Sequence, residues 1–312
     1  MSLLAVENLG VSFRTPDGPL RAVDGVTFQL KDAETLALAG ETGCGKTTIA
    51  LAVLNLLPEN AVSRGKILYE NENLLLLNEK EMTRFRGKEI SLVMQNPALA
   101  LNPVLSIGNQ LTEPLLVHHL AKKSEALEIA KDLLYKLHFK GPANAIRAYP
   151  FEMSGGMKQR ILIGISVILN PKIIIADEPT KGLDSRLRNM VLEELTLARE
   201  MSHSSMVLIT HDLEAARAIS DRIAIMYAGE IIEIGSTADV YENPLHPYSR
   251  GLLESLPERG FKPIPGVSPS MIRPPKGCRF HERCSVKKES CSKIKPDFVK
   301  RNNRGIRCVL YS

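Results

Sequence analysis

The residues with the clearest chemistry form the run Gly40-Glu41-Thr42-Gly43-Cys44-Gly45-Lys46-Thr47, which fits the phosphate-loop pattern G-x-x-x-x-G-K-[ST]. An apolar segment, Thr35 to Ala39, precedes the run and a helical pattern, Thr48 to Leu57, follows it, as the motif requires. Glycines let the backbone curl so that successive N–H groups face one anion. We therefore predict a nucleotide site, in which Lys46 contacts the β- and γ-phosphates and the Thr47 hydroxyl binds Mg²⁺; an ordinary glycine-rich turn is the alternative.

Two acidic residues follow a second apolar segment farther along the chain. Ile173 to Ala176 has the composition of a buried strand, and Asp177 and Glu178 come directly after it. Asp177 is predicted to hold Mg²⁺ through water, and Glu178 to polarise a water that attacks the γ-phosphate. Because acids are common at strand ends, this prediction depends on the complete phosphate loop upstream.

A third motif, Ser154-Gly155-Gly156-Met157-Lys158-Gln159-Arg160, has the features of a helix start. Ser154 can cap the helix, and the two glycines leave backbone N–H groups open to an anion. A capped helix with no further role is the alternative. A phosphate site here makes sense if this segment closes over the nucleotide of a partner chain.

Apolar patterns predict the elements that position these motifs. Strands are predicted at Leu3 to Val6, Gly25 to Leu30, Arg64 to Tyr69, Glu89 to Met94 and Met206 to Thr210, and a closing hairpin at Arg222 to Ile234. Between Gln95 and Ser154 the pattern is helical, with one helix beginning at Ser124 and Gly141-Pro142 ending that segment. A helix is also predicted from Ser185 to Met201, and strands alternating with helices predict a largely parallel α/β sheet.

Composition places the chain among ordinary globular proteins. Its 312 residues are 44% hydrophobic and 24% charged, and no apolar stretch approaches the length of about 18 that spans a bilayer. The segment Met1 to Gly10 lacks the basic start of a signal peptide. We therefore expect a cytoplasmic protein of one large domain with an extension, or of two domains.

These motifs occur in the order found in ATP-binding cassette (ABC) ATPases, which residues 1–235 resemble. The resemblance implies an α/β fold: a P-loop NTPase core of ABC type, an N-terminal antiparallel β subdomain and a helical subdomain at about 96–165. It also implies ATP and Mg²⁺ as ligands and hydrolysis by in-line attack of water.

The resemblance assigns a role to each matching position. Phe13 is similar to the adenine-stacking aromatic, although an aromatic there is more often part of the core. The phosphate-binding set comprises Gly40, Glu41, Thr42, Gly43, Cys44, Gly45, Lys46, Thr47 and Thr48, with Gln95 and Asp177 joining Thr47 around Mg²⁺. Ser154, Gly155 and Gly156 resemble the signature that contacts the partner's ATP, Asp184 belongs to the segment beside it, and Glu178 and His211 resemble the catalytic base and the switch histidine.

Two departures from the family pattern stand near these residues. Lys181-Gly182-Leu183-Asp184 lacks the small serine–alanine pair usual before the leucine–aspartate, so the usual contact of that serine across a dimer is in doubt. Met157 replaces the usual glutamine of the signature.

The chain after the cassette resembles the ATPase subunits of oligopeptide and dipeptide importers. The resemblance rests on residues 243–253, a proline-bounded linker entering a short helix, and on residues 94–103. It implies an extension at 236–312 and a peripheral ATPase at the cytoplasmic face of the membrane. The implied partners are two membrane permease subunits, a second, homologous ATPase and an external peptide-binding protein. Import of nickel or another small solute is the alternative.

Four of the five cysteines lie in the last forty residues, at Cys278, Cys284, Cys291 and Cys308. We call residues 278–308 the cysteine module. A reducing cytoplasm disfavours disulfides, and a module this small needs a covalent cross-link or a bound metal to fold. The spacing lacks the close pairs of zinc sites. Four thiolates suit a [4Fe–4S] cluster, which some peptide-importer ATPases carry; zinc, or thiols without metal, are the alternatives.

The same tail is basic. Residues 271–312 hold 12 Lys or Arg and 3 Asp or Glu, so a net charge of +9 stands against −4 for the rest of the chain. This charge could contact nucleic acid or lipid headgroups, as in a soluble ABC ATPase of DNA repair or translation. Such ATPases carry two cassettes or a long coiled-coil insertion, which this chain lacks. We interpret the charge as offsetting the thiolates and expect no nucleic-acid partner.

Overall fold

The computed structural model describes residues 2–301 and 303–311. The strands are β1 Ser2–Phe13, β2 Leu20–Lys31, β3 Thr35–Ala39, β4 Ala61–Tyr69, β5 Glu72–Asn73, β6 Ile90–Val93, β7 Ile173–Asp177, β8 Ser205–Thr210, β9 Arg222–Tyr227, β10 Glu230–Ser236, β11 Phe298–Arg301 and β12 Arg304–Arg307. The helices are α1 Lys46–Val53, α2 Glu79–Met82, α3 Pro97–Ala100, α4 Ile107–Val117, α5 Lys123–Lys136, α6 Pro142–Ala145, α7 Gly155–Val167, α8 Ser185–Ser202, α9 Leu213–Ile219, α10 Thr237–Glu242 and α11 Pro247–Glu254.

The chain divides into two compact units. One consists of Met1–Leu77 with Leu208–Ser312, and the other of Asn78–Val207. In the first unit, an antiparallel sheet has the strand order β2-β1-β4-β5, which confirms the predicted N-terminal antiparallel strands. A mixed sheet has the order β11-β12-β10-β9-β3, in which β3 pairs in parallel with β9 and β9 in antiparallel with β10. The predicted hairpin at 222–234 is confirmed.

Strand β3 is the strand of this mixed sheet that leads into the phosphate loop. All five of its residues are buried, and Leu36 and Leu38 are fully inaccessible to solvent. A short strand that is apolar on both faces must be covered on both sides, so the sequence pattern predicts this complete burial. The phosphate loop follows the end of this strand.

The second unit contains the parallel pair β6 and β7 and most of the helices. Its longest helix, α8, begins after Asp184, whose carboxylate caps it by accepting a hydrogen bond from Leu187 N–H at 2.9 Å. Val191, Leu195 and Ala198 recur at helical spacing and are buried, as an amphipathic helix requires. The predicted helix at 185–201 is confirmed.

Three predicted helix boundaries are wrong. Helix α1 ends at Val53 rather than Leu57, because Asn55 has a φ of +51°, outside the helical region. Helix α5 begins at Lys123 with Lys122 at the N-cap position, so Ser124 lies inside it. Gly141 and Pro142 do not end that helix but begin α6, since proline is favoured in a first helical turn.

No helix among the described residues is long and apolar enough to cross a membrane.

Candidate nucleotide-binding site

The phosphate loop runs from the end of β3 to the first turn of α1. Gly40 has no room for a side chain, since a Cβ there would lie 2.2 Å from the Met226 carbonyl oxygen. Gly45 has a φ of +104°, and a Cβ at this residue would lie 2.2 Å from the Ala22 carbonyl oxygen. The loop therefore requires glycine at these positions to pass so close to neighbouring backbone.

Lys46 is the first residue of α1 and its side chain returns into the loop. It is 5% exposed, and its Nζ donates to the Gly40 and Glu41 carbonyl oxygens at 2.7 and 3.0 Å. Cys44 is also buried, with its Sγ 3.9 Å from Lys46 Nζ, and burial raises the pKa of this thiol. Cys44 stands at a free position of the motif, and its side chain fills space inside the loop. The ammonium group thus lies where a bound anion would contact the loop N–H groups.

Glu41 connects the loop to the C-terminal extension, a feature that the sequence did not indicate. Its carboxylate accepts hydrogen bonds from Arg283 Nη1, at 3.0 Å to each oxygen, and from Ser268 Oγ at 2.6 Å. Its backbone N–H donates to the Tyr248 hydroxyl at 3.2 Å. The loop is therefore held from outside by three side chains that are more than 200 residues away in sequence.

In the second unit, the acidic pair lies at the end of β7: Asp177 is the last residue of the strand and Glu178 follows it. Asp177 and Glu178 are 8% and 7% exposed, so both are largely removed from solvent. Glu178 has a φ of +48°, the left-handed region that costs a non-glycine residue roughly 1 kcal/mol. Strained backbone of this kind concentrates at functional sites, which fits the role predicted for Glu178.

The register of β6 and β7 places Gln95 near the same edge. The strands are parallel and Val93 pairs with Ala176, so Gln95 and Asp177 follow neighbouring strand ends. Gln95 is exposed. The carboxyl ends of parallel strands are the usual place for ligand-binding residues in α/β sheets.

Ser154 caps α7 as predicted. Its hydroxyl accepts a hydrogen bond from Met157 N–H at 3.3 Å, and Gly155 and Gly156 form the first helical turn. A Cβ on Gly155 would contact nothing within 4 Å. The first turn therefore presents backbone N–H groups on an open surface, as an anion site needs.

Two further predicted residues lie in the first unit. Phe13 ends β1 and is half-buried, paired with Leu20 and Ala61 on the flanking strands. His211 directly follows β8 and is exposed. Both positions leave part of the ring accessible.

The four C-terminal cysteines come together. Cys278, Cys284, Cys291 and Cys308 line one small cavity. Burial raises the pKa of Cys278 to about 12, and it also raises the pKa values of Cys284 and Cys308, with neighbouring thiols adding to each shift. Within residues 2–301 and 303–311, no three or more His, Cys, Asp or Glu side chains are arranged as the ligands of a metal ion. The donor set fits a thiolate-bound group, although the side chains do not adopt a preformed ion site.

The basic charge of the tail is used to attach the cysteine module to the rest of its unit. Arg279 pairs with Asp24, and Lys295 Nζ lies 3.0 Å from Asp24 and 2.6 Å from Glu230. Arg304 pairs with Glu233, which is fully buried. This intramolecular pairing uses three of the 12 cationic side chains of the tail, so part of the charge neutralises carboxylates of the same unit rather than thiolates.

Family comparisons agree with this geometry. A family model described as "ABC transporter" matches residues 23–181, and one described as "Oligopeptide/dipeptide transporter, C-terminal region" matches residues 232–291. The chain therefore belongs to the ABC transporter family, among its ATPase subunits, which confirms the resemblance seen in the sequence.

Individual relatives refine the comparison. The chain is 39% identical to the dipeptide transport ATP-binding protein DppD of Bacillus subtilis, over 99% of this chain and 94% of that protein. It is 37% identical to the oligopeptide transport ATP-binding protein OppD of Escherichia coli, over 95% and 89% of the two chains. A solved dimeric structure of the ATP-binding cassette MJ0796 superimposes with a TM-score of 0.66 at 24% identity, covering 75% of this chain and 98% of that one. This last likeness supports the fold.

Proposed function

We propose that this chain is the ATP-hydrolysing subunit of an ABC importer that takes up di- and oligopeptides across the cytoplasmic membrane. The observation that carries the proposal is the match along nearly the whole chain to a dipeptide transport ATP-binding protein, including the C-terminal region. The cassette corresponds to residues 1–235, with a helical subdomain at about 96–165, and the extension to 236–312. Nickel or another small solute is the alternative cargo.

The roles at the nucleotide follow the family pattern. Lys46 and the loop N–H groups bind the phosphates, and Phe13 stacks on the adenine. Glu178 orients and polarises the attacking water, and His211 contacts the γ-phosphate. Mg²⁺, held by Thr47, Gln95 and Asp177, supplies positive charge to the phosphate oxygens when bound. Catalysis is then mainly positioning and electrostatics.

The site needs a second ATPase subunit. Ser154, Gly155 and Gly156 present their N–H groups to the γ-phosphate of the partner's ATP, and Asp184 stands beside this contact. The partner is a homologous, separately encoded ATPase, so the pair is a heterodimer. Lys181 replaces a small residue near this interface, and the contact made there differs from the usual one.

The helical region is the docking surface for the membrane subunits. Three apolar side chains near Gln95 are exposed: Met94 by 51%, Leu99 by 83% and Val104 by 76%. Contact of such a group with water is unfavourable, which is typical of a surface that a partner covers. Two permease subunits cover this surface, and the chain is a peripheral protein at the cytoplasmic face. An external binding protein delivers the peptide.

The cysteine module carries a [4Fe–4S] cluster, held by Cys278, Cys284, Cys291 and Cys308. The support is chemical: four thiols line one small cavity, together with apolar side chains such as Phe280 and Leu310, and four thiolates are the usual ligands of such a cluster. Such a cluster, when bound, fixes its four ligands in place. A single zinc ion is the alternative occupant.

Replacing the proposed base tests the function. Glu178→Gln keeps the shape of the side chain but removes the charge that polarises water. We expect ATP binding to persist while hydrolysis by the assembled importer falls at least 100-fold, within the range typical of general-base loss. Glu193→Gln, an exposed residue of the same unit, is the matched control. Undiminished turnover in Glu178→Gln would contradict the role assigned to Glu178.

A further inference from the structure

We propose that Arg283 and Tyr248 are positioning residues of the nucleotide site, which hold the phosphate loop through Glu41 and join it to the cysteine module. The inference rests on the proposed ATPase function. It adds to that function two residues of the C-terminal extension, neither of which belongs to the cassette motifs.

The contact concerns an acidic residue in an anion-binding loop. Glu41 occupies a free position of the phosphate-loop pattern, so the motif assigns no role to its side chain. A carboxylate beside bound phosphates repels them. Arg283 removes this repulsion, because its Nη1 lies 3.0 Å from both carboxylate oxygens. The Arg283 side chain is only 8% exposed, so water screens the pair weakly.

Further bonds fix the position of Arg283. Its Nε donates to the Pro265 carbonyl oxygen at 2.9 Å, and its Nη1 lies 3.3 Å from the Tyr227 hydroxyl. The guanidinium also lies over the Tyr227 ring, 5.7 Å from the centroid. The Arg283 guanidinium is thus fixed by these contacts, and a positioning residue must itself be held in place.

Tyr248 holds the backbone of the same residue. It is fully buried at the start of α11, and its hydroxyl accepts the Glu41 N–H at 3.2 Å. Burial raises the phenol pKa far above its ordinary value, so the hydroxyl stays neutral. Arg283 therefore fixes the side chain of Glu41 and Tyr248 fixes its N–H group.

Both contacts lead to the cysteine module. Arg283 directly precedes Cys284, one of the four cysteines around the cavity. Phe280 lines the same cavity, and its ring lies 5.3 Å from the ring of Tyr248. Disorder in the cysteine module would therefore release Arg283 and remove the Phe280 ring that packs on Tyr248. The structure thus links the folded state of the module to affinity for ATP.

The experiment uses the full chain, purified without oxygen, and measures the Kd for ATP together with KM and kcat of the assembled importer. Arg283→Ala leaves the Glu41 carboxylate without its cation, and we expect about tenfold weaker ATP binding and a higher KM with little change in kcat. Arg273 is an exposed arginine of the same region, and Arg273→Ala is the matched control. Its Kd for ATP, KM and kcat should equal those of the wild type.

A second substitution separates positioning from general damage. Adding Glu41→Gln to Arg283→Ala removes the unpaired charge, and we expect it to restore most of the ATP affinity. General misfolding would not be rescued in this way. Tyr248→Phe removes only one hydroxyl and should weaken ATP binding about threefold, even if Arg283→Ala does not fold.

Two results would overturn the inference: wild-type affinity in both Arg283→Ala and Tyr248→Phe, or no rescue by Glu41→Gln in a folded Arg283→Ala protein. If the wild-type chain itself fails to bind ATP, the proposed function fails instead.

Discussion

Strand β3 and the cysteine module belong to the same compact unit but are held in place by different forces. All five residues of β3 are buried, and four of the five are leucine or alanine. The module is fastened by charge: Arg279, Lys295 and Arg304 pair with carboxylates outside it. Apolar burial tolerates many sequences of the right pattern, whereas each ion pair needs both partners and the right protonation state. We therefore expect the module to fail first when thiols, charges or pH are changed.

The largest expected effect comes from the thiols. Cys278→Ser removes one of the four proposed ligands, and we expect iron and acid-labile sulfide, near four each per chain in the wild type, to fall sharply. The C-terminal region should then be cleaved rapidly by protease while the cassette stays folded, and ATP affinity should fall toward that of Arg283→Ala.

Ser285 is an exposed residue beside Cys284, and Ser285→Ala is the control for this experiment. It should change neither the iron and sulfide content nor the ATP affinity. One zinc per chain and no sulfide in the wild type would make the module a zinc site and contradict the cluster. Unchanged metal content in Cys278→Ser would remove this cysteine from the ligand set.

The next effect concerns the buried pair of Arg304 and Glu233. Glu233 is fully buried, and its carboxylate also accepts the Leu245 and His246 N–H groups, each at 2.9 Å. Arg304→Met leaves this charge without its cation, and we expect a loss of about 3 kcal/mol in the free energy of unfolding, measured with urea.

The exposed pair of Lys293 and Glu289 provides the comparison, because their side chains are 69% and 86% exposed. Lys293→Ala should cost less than about 0.5 kcal/mol. Equal costs for the buried and the exposed pair would show that burial does not govern these contacts.

The smallest effect is a pH dependence at Asp24. Lys295, Arg279 and Arg64 hold the pKa of Asp24 below its ordinary value of 3.8, against the opposing effect of burial. A lowered pKa means that the carboxylate stabilises the folded state above pH 3.8, and that this contribution is lost as the pH falls below that value. Asp24→Asn should therefore be less stable than the wild type at pH 7, by about 1 kcal/mol, and the difference should shrink below pH 3.8. A difference that does not change with pH would contradict the assigned cause.

Much of the site followed from local sequence. The phosphate loop, the strand before it, the acids after β7 and the serine cap of α7 all stand where the sequence predicted them, because each depends on a short pattern of apolar residues, glycines and caps. Helix boundaries were less predictable: α1 ends early and α5 begins one residue before the predicted start at Ser124. Such ends depend on packing that a single sequence does not record.

The sequence by itself determined the class of chemistry, since a phosphate loop, an acidic pair and a glycine signature in this order need no tertiary information. Only the tertiary structure decided what holds that loop. Glu41 occupies a position where the motif allows any residue, and Tyr248 and Arg283 lie 207 and 242 residues away along the chain. Contacts at such separations leave no local periodicity or spacing, because they arise only when the folded chain brings distant segments together.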